Sequence, residues 1–309
     1  MVRPKVSVII PTYNRRDLVL NAVRSVLAQT LAVDEIIVVD DGSEDGTAAA
    51  LQLHFGSRVV YIRQDNAGVA AARNRGLAIA RGEYLSLLDS DDEWLPEKTS
   101  RQVQWLDAHP GFGMVLCDVI RVTKEGEIVD VFRRREFIPE DGHVLRWVLR
   151  NPALAPVSAM FRREVLANVG GFNTELQTAE DIEFHLRVAR KWPIGVVSES
   201  LVRAMRGHDG LSALAKTYDD YQQVVEHFVA ECRGDVPDQD LDAGLAWACV
   251  RNARGMLFEG RWMETQRLAL RALRHAPDWS IRYEALLLLP LALRRALATV
   301  REKLQLRRG

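Results

Sequence analysis

The sequence predicts an α/β fold, a mostly parallel sheet flanked by helices, followed by an α-helical C-terminal extension. Three observations carry that expectation. Short apolar runs alternate with stretches of helical spacing between Val6 and Leu88. The runs are continuously apolar, as strands buried on both faces of a parallel sheet are. From about Leu211 onward, helical spacing dominates almost to the end of the chain.

The elements follow in order. Residues 6–10 form the first strand, and apolar residues at 18, 19, 22, 23, 26 and 27 mark a helix over 17–28. A second strand at 36–39 runs into "DDGSEDG" and a short helix from about Thr47. A third strand at 59–62 precedes an alanine-rich helix over 67–80, and a fourth at 85–88 ends in carboxylates. The pattern is then mixed. A helix over 96–108 starts with Pro in its first turn, and strands at 114–121 and 127–132 flank "TKEGE" as a hairpin. Residues 155–161 read as a strand and 179–189 as a helix.

Composition bounds the classes. The 309 residues carry a net charge of −1, with 48% hydrophobic and 27% charged residues, as in an ordinary globular protein. A balance this neutral argues against nucleic acid as a partner. Cys117, Cys232 and Cys249 are scattered and form no CxxC or zinc spacing, which suits free thiols in a reducing compartment. The opening "MVRPKVSVIIPTYN" has only a short apolar run, interrupted by Pro11, too brief for a signal-peptide core. The expected location is therefore the cytoplasm, with a peripheral contact at the inner face of the membrane as an alternative for the basic C-terminal helix.

Four stretches offer chemistry. "VSVIIPTYNR" is a strand entering a polar loop, and open α/β sheets bind ligands beyond such strand ends. "VVDDGSEDGT" begins at another strand end. It approximates a calcium loop through Asp41, Ser43, Asp45 and Gly46, but the twelfth position is Gln52 and a strand precedes it. "NAGVAAARNRG" lacks both the Rossmann glycine fingerprint and the P-loop, though a helix N-terminus with an Arg suits phosphate. "YLSLLDSDDEW" crowds Asp89, Asp91, Asp92 and Glu93 at a strand end, where mutual repulsion favours a bound cation. Mg²⁺ or Mn²⁺ shared with a diphosphate fits that donor type. A phosphatase with Asp89 as nucleophile and a solvated acidic turn are the rival readings. Glu180 and Asp181 open a later helix, where the dipole alone also favours carboxylates.

Taken together and in this order, the motifs "VSVIIPTYNR", "DEIIVVDDGSEDGT", "NAGVAAARNRGLAIARGEYLSLLDSDDEW" and "VGGFNTEL…EDIEFHLRVAR" resemble the inverting glycosyltransferases of family 2, with the GT-A fold. The resemblance covers roughly residues 3 to 210. It implies a catalytic domain over 1–210, with a nucleotide-binding half to about 95 and an acceptor-binding half over 96–210, and a helical extension over 211–309. It implies a nucleotide-sugar donor, a UDP-sugar above others, with Pro11, Thr12 and Tyr13 lining the nucleoside pocket and Asp40 and Asp41 at the base. Arg73, Asn74, Asp89 and Ser90 would complete the donor site, and Asp91 would be the principal Mn²⁺ or Mg²⁺ ligand. Asp181 would be the catalytic base. "VRAMRGHDGLS" is similar to a family stretch whose His reaches metal or phosphate, which makes His208 a further metal candidate. The processive Q-x-x-R-W motif is missing, so single transfers to a glycan or lipid-linked acceptor in surface-polysaccharide synthesis are implied. A non-catalytic nucleotide-binding scaffold is the remaining alternative.

At the C-terminal end, "EGRWMETQRLALRALRHAPDW" resembles half of a tetratricopeptide-type repeat without a second copy, so a small helical cap is expected. Leu286, Leu289, Leu293, Leu297, Val300 and Leu304 form a helical stripe with Arg between them, facing either the protein core or an anionic membrane.

Overall fold

The computed structural model describes residues 5–122, 128–131, 142–150, 156–205 and 216–291. Its sheet runs in the order β3-β2-β1-β4-β8-β6-β9-β5, with β7 off this path and paired with β6. The strands are β1 (Val6–Thr12), β2 (Glu35–Asp40), β3 (Val60–Arg63), β4 (Tyr84–Leu87), β5 (Asp92–Trp94), β6 (Met114–Val122), β7 (Ile128–Val131), β8 (Met160–Arg162) and β9 (Ile194–Met205). The first four are parallel throughout. Beyond β4 the sheet is mixed: β8 is antiparallel to β4 and β6, β5 to β9 and β7 to β6, whereas β6 and β9 are parallel.

Alternation along β1 divides the two faces. Val6, Val8 and Ile10 join Val19 and Val23 of α1 (Arg16–Leu27), Leu51 of α2 (Thr47–Phe55) and Val103 and Leu106 of α4 (Lys98–Ala108) in one buried cluster. Ile9, on the opposite face, meets α3 (Val69–Ile79) at Gly76. A Cβ there would lie 3.0 Å from Ile9 Cγ1, so only glycine lets the helix come this close.

Several elements differ from expectation for local reasons. β3 is an edge strand, exposed at Val60 and Arg63, so it is not buried on both faces. Pro96 lies outside α4, whose N-cap is Glu97. The stretch read as one strand at 155–161 is a 3-10 turn, Pro156–Ser158, followed by the short β8. β5, β9, α5 (Leu145–Arg150) and α6 (Arg163–Val169) were not anticipated. The helix beginning at Glu180 is α7 (Glu180–Lys191).

Contacts divide the chain into two compact units, residues 1–145 with 153–209, and residues 146–152 with 210–309. The second contains α8 (Lys216–Cys232), α9 (Asp238–Phe258), α10 (Trp262–His275) and a further helix over residues 279–291. Asn252 of α9 is fully buried and donates to Gln222 Oε1 of α8 at 2.9 Å, a polar tie within an apolar interface. In the last helix Ile281, Ala285 and Leu288 are buried, and of the two described positions of the predicted stripe Leu286 is exposed and Leu289 partly buried. The stripe from Leu293 on lies outside the described residues. Among the described residues no helix is long and apolar enough to cross a membrane.

Candidate active site

The strand order reverses between β1 and β4, and ligands of open α/β sheets bind outside the carboxyl ends at such a point. Thr12 ends β1, Asp40 ends β2, and Asp89 lies two residues past β4. These ends converge because the three strands are parallel and in register.

Pro11 and Thr12 are buried and Tyr13 is half-exposed. Thr12 Oγ1 is buried with no hydrogen-bond partner among the described residues, an orphan hydroxyl at the strand end. Asn14, in the left-handed region at φ 49°, accepts from the Glu44 N–H at 2.8 Å, while its own N–H donates to Ser43 Oγ at 2.8 Å. Asn tolerates that conformation better than most residues. The first two strand-end loops are thereby stitched together.

The paired aspartates after β2 do different things. Asp40 is fully buried, with Oδ1 accepting from the Ser43 N–H at 2.7 Å and Oδ2 from the Tyr61 hydroxyl at 2.6 Å. Burial and that bond to Asp40 push the Tyr61 hydroxyl up to about 12. Asp41 Oδ1 accepts from Gln64 Nε2 at 2.8 Å and the Ala67 N–H at 2.9 Å, and Oδ2 from the Gly68 N–H at 2.8 Å. It therefore fixes the loop entering α3. A carboxylate has about four lone-pair sites, so Oδ2 retains room for one more donor.

Arg73, one turn into α3, is buried and joins both halves of the site. Nη1 lies 2.5 Å from Glu180 Oε1 and Nη2 lies 2.8 Å from Asp89 Oδ1. Its guanidinium also lies over the Phe172 ring at 5.3 Å from the centroid. Asn74 donates to the Phe172 carbonyl at 2.8 Å and accepts from the Phe172 N–H at 2.8 Å. Gly171 is required beside it, because a Cβ there would collide with the Asn74 amide.

The acidic segment separates in the same way. Ser90 is buried, Asp89 is partly exposed, and Asp91 Oδ2 lies 2.7 Å from Arg15 Nη1. Asp92 is structural: it sits in β5 and accepts from the Met205 N–H at 3.0 Å. Among the described residues no group of three or more His, Cys, Asp or Glu could hold a metal ion alone. The available donors are two hard carboxylates, the kind Mg²⁺ takes when substrate phosphates complete its shell. They fit a cation shared with a diphosphate and not one held by protein alone. His208 lies outside the described residues.

Asp181 stands in the first turn of α7, behind Ala179 at φ 62°. Left-handed backbone at an alanine is strained, and such strain persists where the surroundings impose it. Burial and the Glu180 carboxylate push Asp181 up to about 7, against the opposing pull of Arg73 and of the Ile182 N–H. Asp89 raises it slightly further, so the carboxylates flanking Arg73 share one electrostatic field.

The sequence pointed to most of these residues but not to Arg15 as the partner of Asp91, nor to Glu180 as the partner of Arg73. Both stand in quoted motifs, "PTYNR" and "EDIEF", and only the fold reveals whom they meet.

The family model for glycosyl transferase family 2 matches residues 7–170. The chain is similar to the Escherichia coli protein named UDP-Glc:alpha-D-GlcNAc-diphosphoundecaprenol beta-1,3-glucosyltransferase WfaP, 40% identical over 108 residues, covering 35% of this chain and 43% of that one. The first curated relatives, from Rickettsia, are 29% and 30% identical, and the chain spans about a third of their length. Among solved structures, Staphylococcus aureus TarS 1-349 in complex with UDP-GlcNAc matches with a TM-score of 0.69 at 21% identity, over 88% of this chain and 82% of that one. The Pyrobaculum calidifontis mannosyltransferase PcManGT, in complex with GDP-Man and Mn2+, matches with a TM-score of 0.57 at 24% identity, over 98% and 89%. The fold is thus of the GT-A kind, with a helical C-terminal region.

Proposed function

The chain belongs to glycosyl transferase family 2, and from that premise we propose that it moves a sugar from a nucleotide-sugar to a hydroxyl of a glycan or lipid-linked acceptor, with inversion and one transfer per encounter. The observation that carries this is the Arg73 bridge: one buried cation ties Asp89, on the donor side, to Glu180, next to the candidate base Asp181. A phosphatase using Asp89 has no need of that second carboxylate pair, and a scaffold has no need of a base.

The donor nucleoside sits at the ends of β1 and β2. Thr12 Oγ1 gains the partner it lacks, Tyr13 offers its exposed ring, and the open lone pair of Asp41 receives an N–H from the base. Asp40 orders the strand tip beneath. A uracil has such an N–H, and similarity to a protein solved with UDP-GlcNAc favours a UDP-sugar. Asp89, Ser90 and Asp91 face the ribose and diphosphate. Asp91, with Asp89, would hold Mn²⁺ or Mg²⁺, which when bound offsets the charge of the leaving diphosphate.

Asp181 does the proton work. The acceptor oxygen attacks the anomeric carbon as the bond to the diphosphate oxygen breaks, and that oxygen keeps the electron pair. The acceptor proton passes to Asp181 in the same step. A carboxylate held near 7 is a stronger base than an ordinary one, and about half of it is ionised at neutral pH. One displacement with one base inverts the anomeric centre.

The similarity to WfaP, named for a lipid-diphosphate acceptor, supports a lipid-linked acceptor in surface-polysaccharide synthesis. Three buried cysteines that form no disulfide suit a cytoplasmic setting. The deciding experiment is calorimetric titration of the wild type and Asp91→Ala with UDP, GDP, dTDP and CDP, each with and without Mn²⁺. Micromolar binding of one nucleotide that needs both the metal and Asp91 supports the reading. Failure of the folded protein to bind any of them removes it.

A further inference from the structure

The helix over residues 279–291 buries one face and exposes an apolar stripe on the other, bordered by Arg282 on one side and by Glu284, paired with Arg254, on the other. Ile281, Ala285 and Leu288 are buried in the helical unit. The opposite face carries Trp279, 75% exposed, and Tyr283, 62% exposed, with Leu286, Leu287 and Leu291 continuing the stripe at 46%, 44% and 47%. At 100° per residue these five positions gather on one flank, and Pro290 falls among them. A surface helix ordinarily sets polar residues opposite its buried face. Here the outer face is left to solvent, although an exposed apolar face normally marks a binding surface.

The occupant follows from the residue types and the charge. Trp and Tyr have apolar rings with one polar atom, which suits the boundary between headgroups and acyl chains. Arg282 borders the stripe, its guanidinium 5.8 Å from the centroid of the Trp279 ring. The sequence running on from this helix, residues 292–309, contains Arg294, Arg295, Arg301, Lys303, Arg307 and Arg308 against the single acid Glu302. An apolar face followed by concentrated positive charge matches an anionic lipid surface, where apolar burial and headgroup attraction act together.

We propose that this outer face, centred on Trp279, Tyr283 and Leu287, is a peripheral docking surface for anionic lipid bilayers. The helix lies in the plane of the interface, with Tyr283 and Leu287 at the centre of the inserted flank and Trp279, Leu286 and Leu291 along it. The surface belongs to the helical unit and takes no part in the transfer chemistry. It brings the chain to the plane in which a lipid-linked acceptor is held.

The test is sedimentation of the full-length protein with phosphatidylcholine vesicles, with and without one-third phosphatidylglycerol, comparing the wild type with Tyr283→Ser/Leu287→Ser. Both residues are exposed, so the double variant should melt where the wild type does. The wild type should bind the anionic vesicles, with weaker binding in 0.5 M NaCl, and the variant should lose about tenfold or more of its partitioning. Sedimentation velocity without lipid is run alongside. Absence of vesicle binding by the wild type would overturn the proposal, as would a variant that binds equally well. A stable dimer that the variant dissociates would assign the face to a second copy instead. None of these results depends on which nucleotide the other unit binds, so they are separable from the titration with nucleotides.

Discussion

Arg73 and Glu180, 107 residues apart in sequence, form a buried ion pair at 2.5 Å. Nη2 of the same guanidinium reaches Asp89 at 2.8 Å. Removing one member of a buried pair leaves the other charge uncompensated, which costs about 3–5 kcal/mol. Arg73→Met should therefore lose about 3 kcal/mol at pH 8 in urea unfolding, and less at pH 5, where Asp181, raised to about 7, is already neutral and draws less on the guanidinium. Arg73→Lys should recover only part, because one ammonium cannot fork to two carboxylates as a guanidinium does. A variant as stable as the wild type at both pH values would remove the strut from the account.

Asp181 supplies a second expectation, with a definite sign. Its folded value is raised from 3.8 to about 7. Between those values the folded state holds a proton that the unfolded state has released, so stability falls as pH rises from about 4 to 7 and levels off above. Asp181→Asn removes that penalty. It should be more stable than the wild type by about 4 kcal/mol at pH 8 and nearly equal to it at pH 4, while losing transfer activity. In the wild type, transfer should rise with pH through about 7 as the base ionises. A flat rate profile from pH 5 to 8 would assign the proton to another group.

Arg15 and Asp91 give a prediction about metal. The ion pair, 2.7 Å long, occupies one oxygen of the proposed ligand, so an arriving cation has to displace it. Arg15→Gln should tighten binding of Mn²⁺ to the nucleotide-loaded protein by about fivefold, corresponding to about 1 kcal/mol for a partly exposed pair. It should not tighten binding of the nucleotide, which gains from a nearby guanidinium. Titration of the two variants, Arg15→Gln and Asp91→Ala, with Mn²⁺ in the presence of nucleotide distinguishes these terms. Unchanged metal affinity in Arg15→Gln would show that Asp91 does not receive the ion.

The parallel half of the fold was legible because each of its inner strands is a continuous apolar run with a polar loop at its carboxyl end. β5 was not, because Asp92, Glu93 and Trp94 look like the tail of an acidic loop. Only the partner strand makes them a strand, through the Asp92↔Ala204 to Trp94↔Val202 register. β9 was missed for a related reason: Ser198, Glu199 and Ser200 interrupt its apolar pattern where the register against β6 shifts. At the site, the types and positions of Asp89, Asp91 and Asp181 could be read directly. Their relation could not, since Arg73 contacts one carboxylate 16 residues away and another 107 away.

Asn74 makes a testable contrast with its charged isostere. Its amide both donates to and accepts from the peptide of Phe172, in the segment that leads to α7. Asn74→Asp keeps the acceptor but places a negative oxygen against the Phe172 carbonyl, so the pair is broken by a change of one atom. Both Asn74→Asp and Asn74→Leu should lose about 2 kcal/mol of stability. Hydrogen exchange at the Phe172 amide should accelerate in Leu more than in Asp, which still accepts from that N–H. Equal protection in all three proteins would place the clamp elsewhere.

Lys98 is fully buried, and its ammonium donates to Gln102 Oε1 at 2.8 Å and Ser86 Oγ at 3.2 Å while lying 4.0 Å from the centroid of the Trp94 ring. Burial pulls the amine down to about 8, from 10.5. Its sign is opposite to that of Asp181. Above pH 8 the folded state has released a proton that the unfolded chain retains up to about 10.5, so this group adds stability as pH rises from 8 to 10. The gain over that range should be about 2 kcal/mol. Lys98→Met removes the titrating group and should show no such rise, although it leaves Gln102 Oε1 without this donor and so starts from a lower baseline. Urea midpoints at pH 7, 8, 9 and 10 for both proteins give the comparison directly. If the two pH profiles run parallel, Lys98 is charged in the folded protein throughout, and the desolvation argument at this position is wrong.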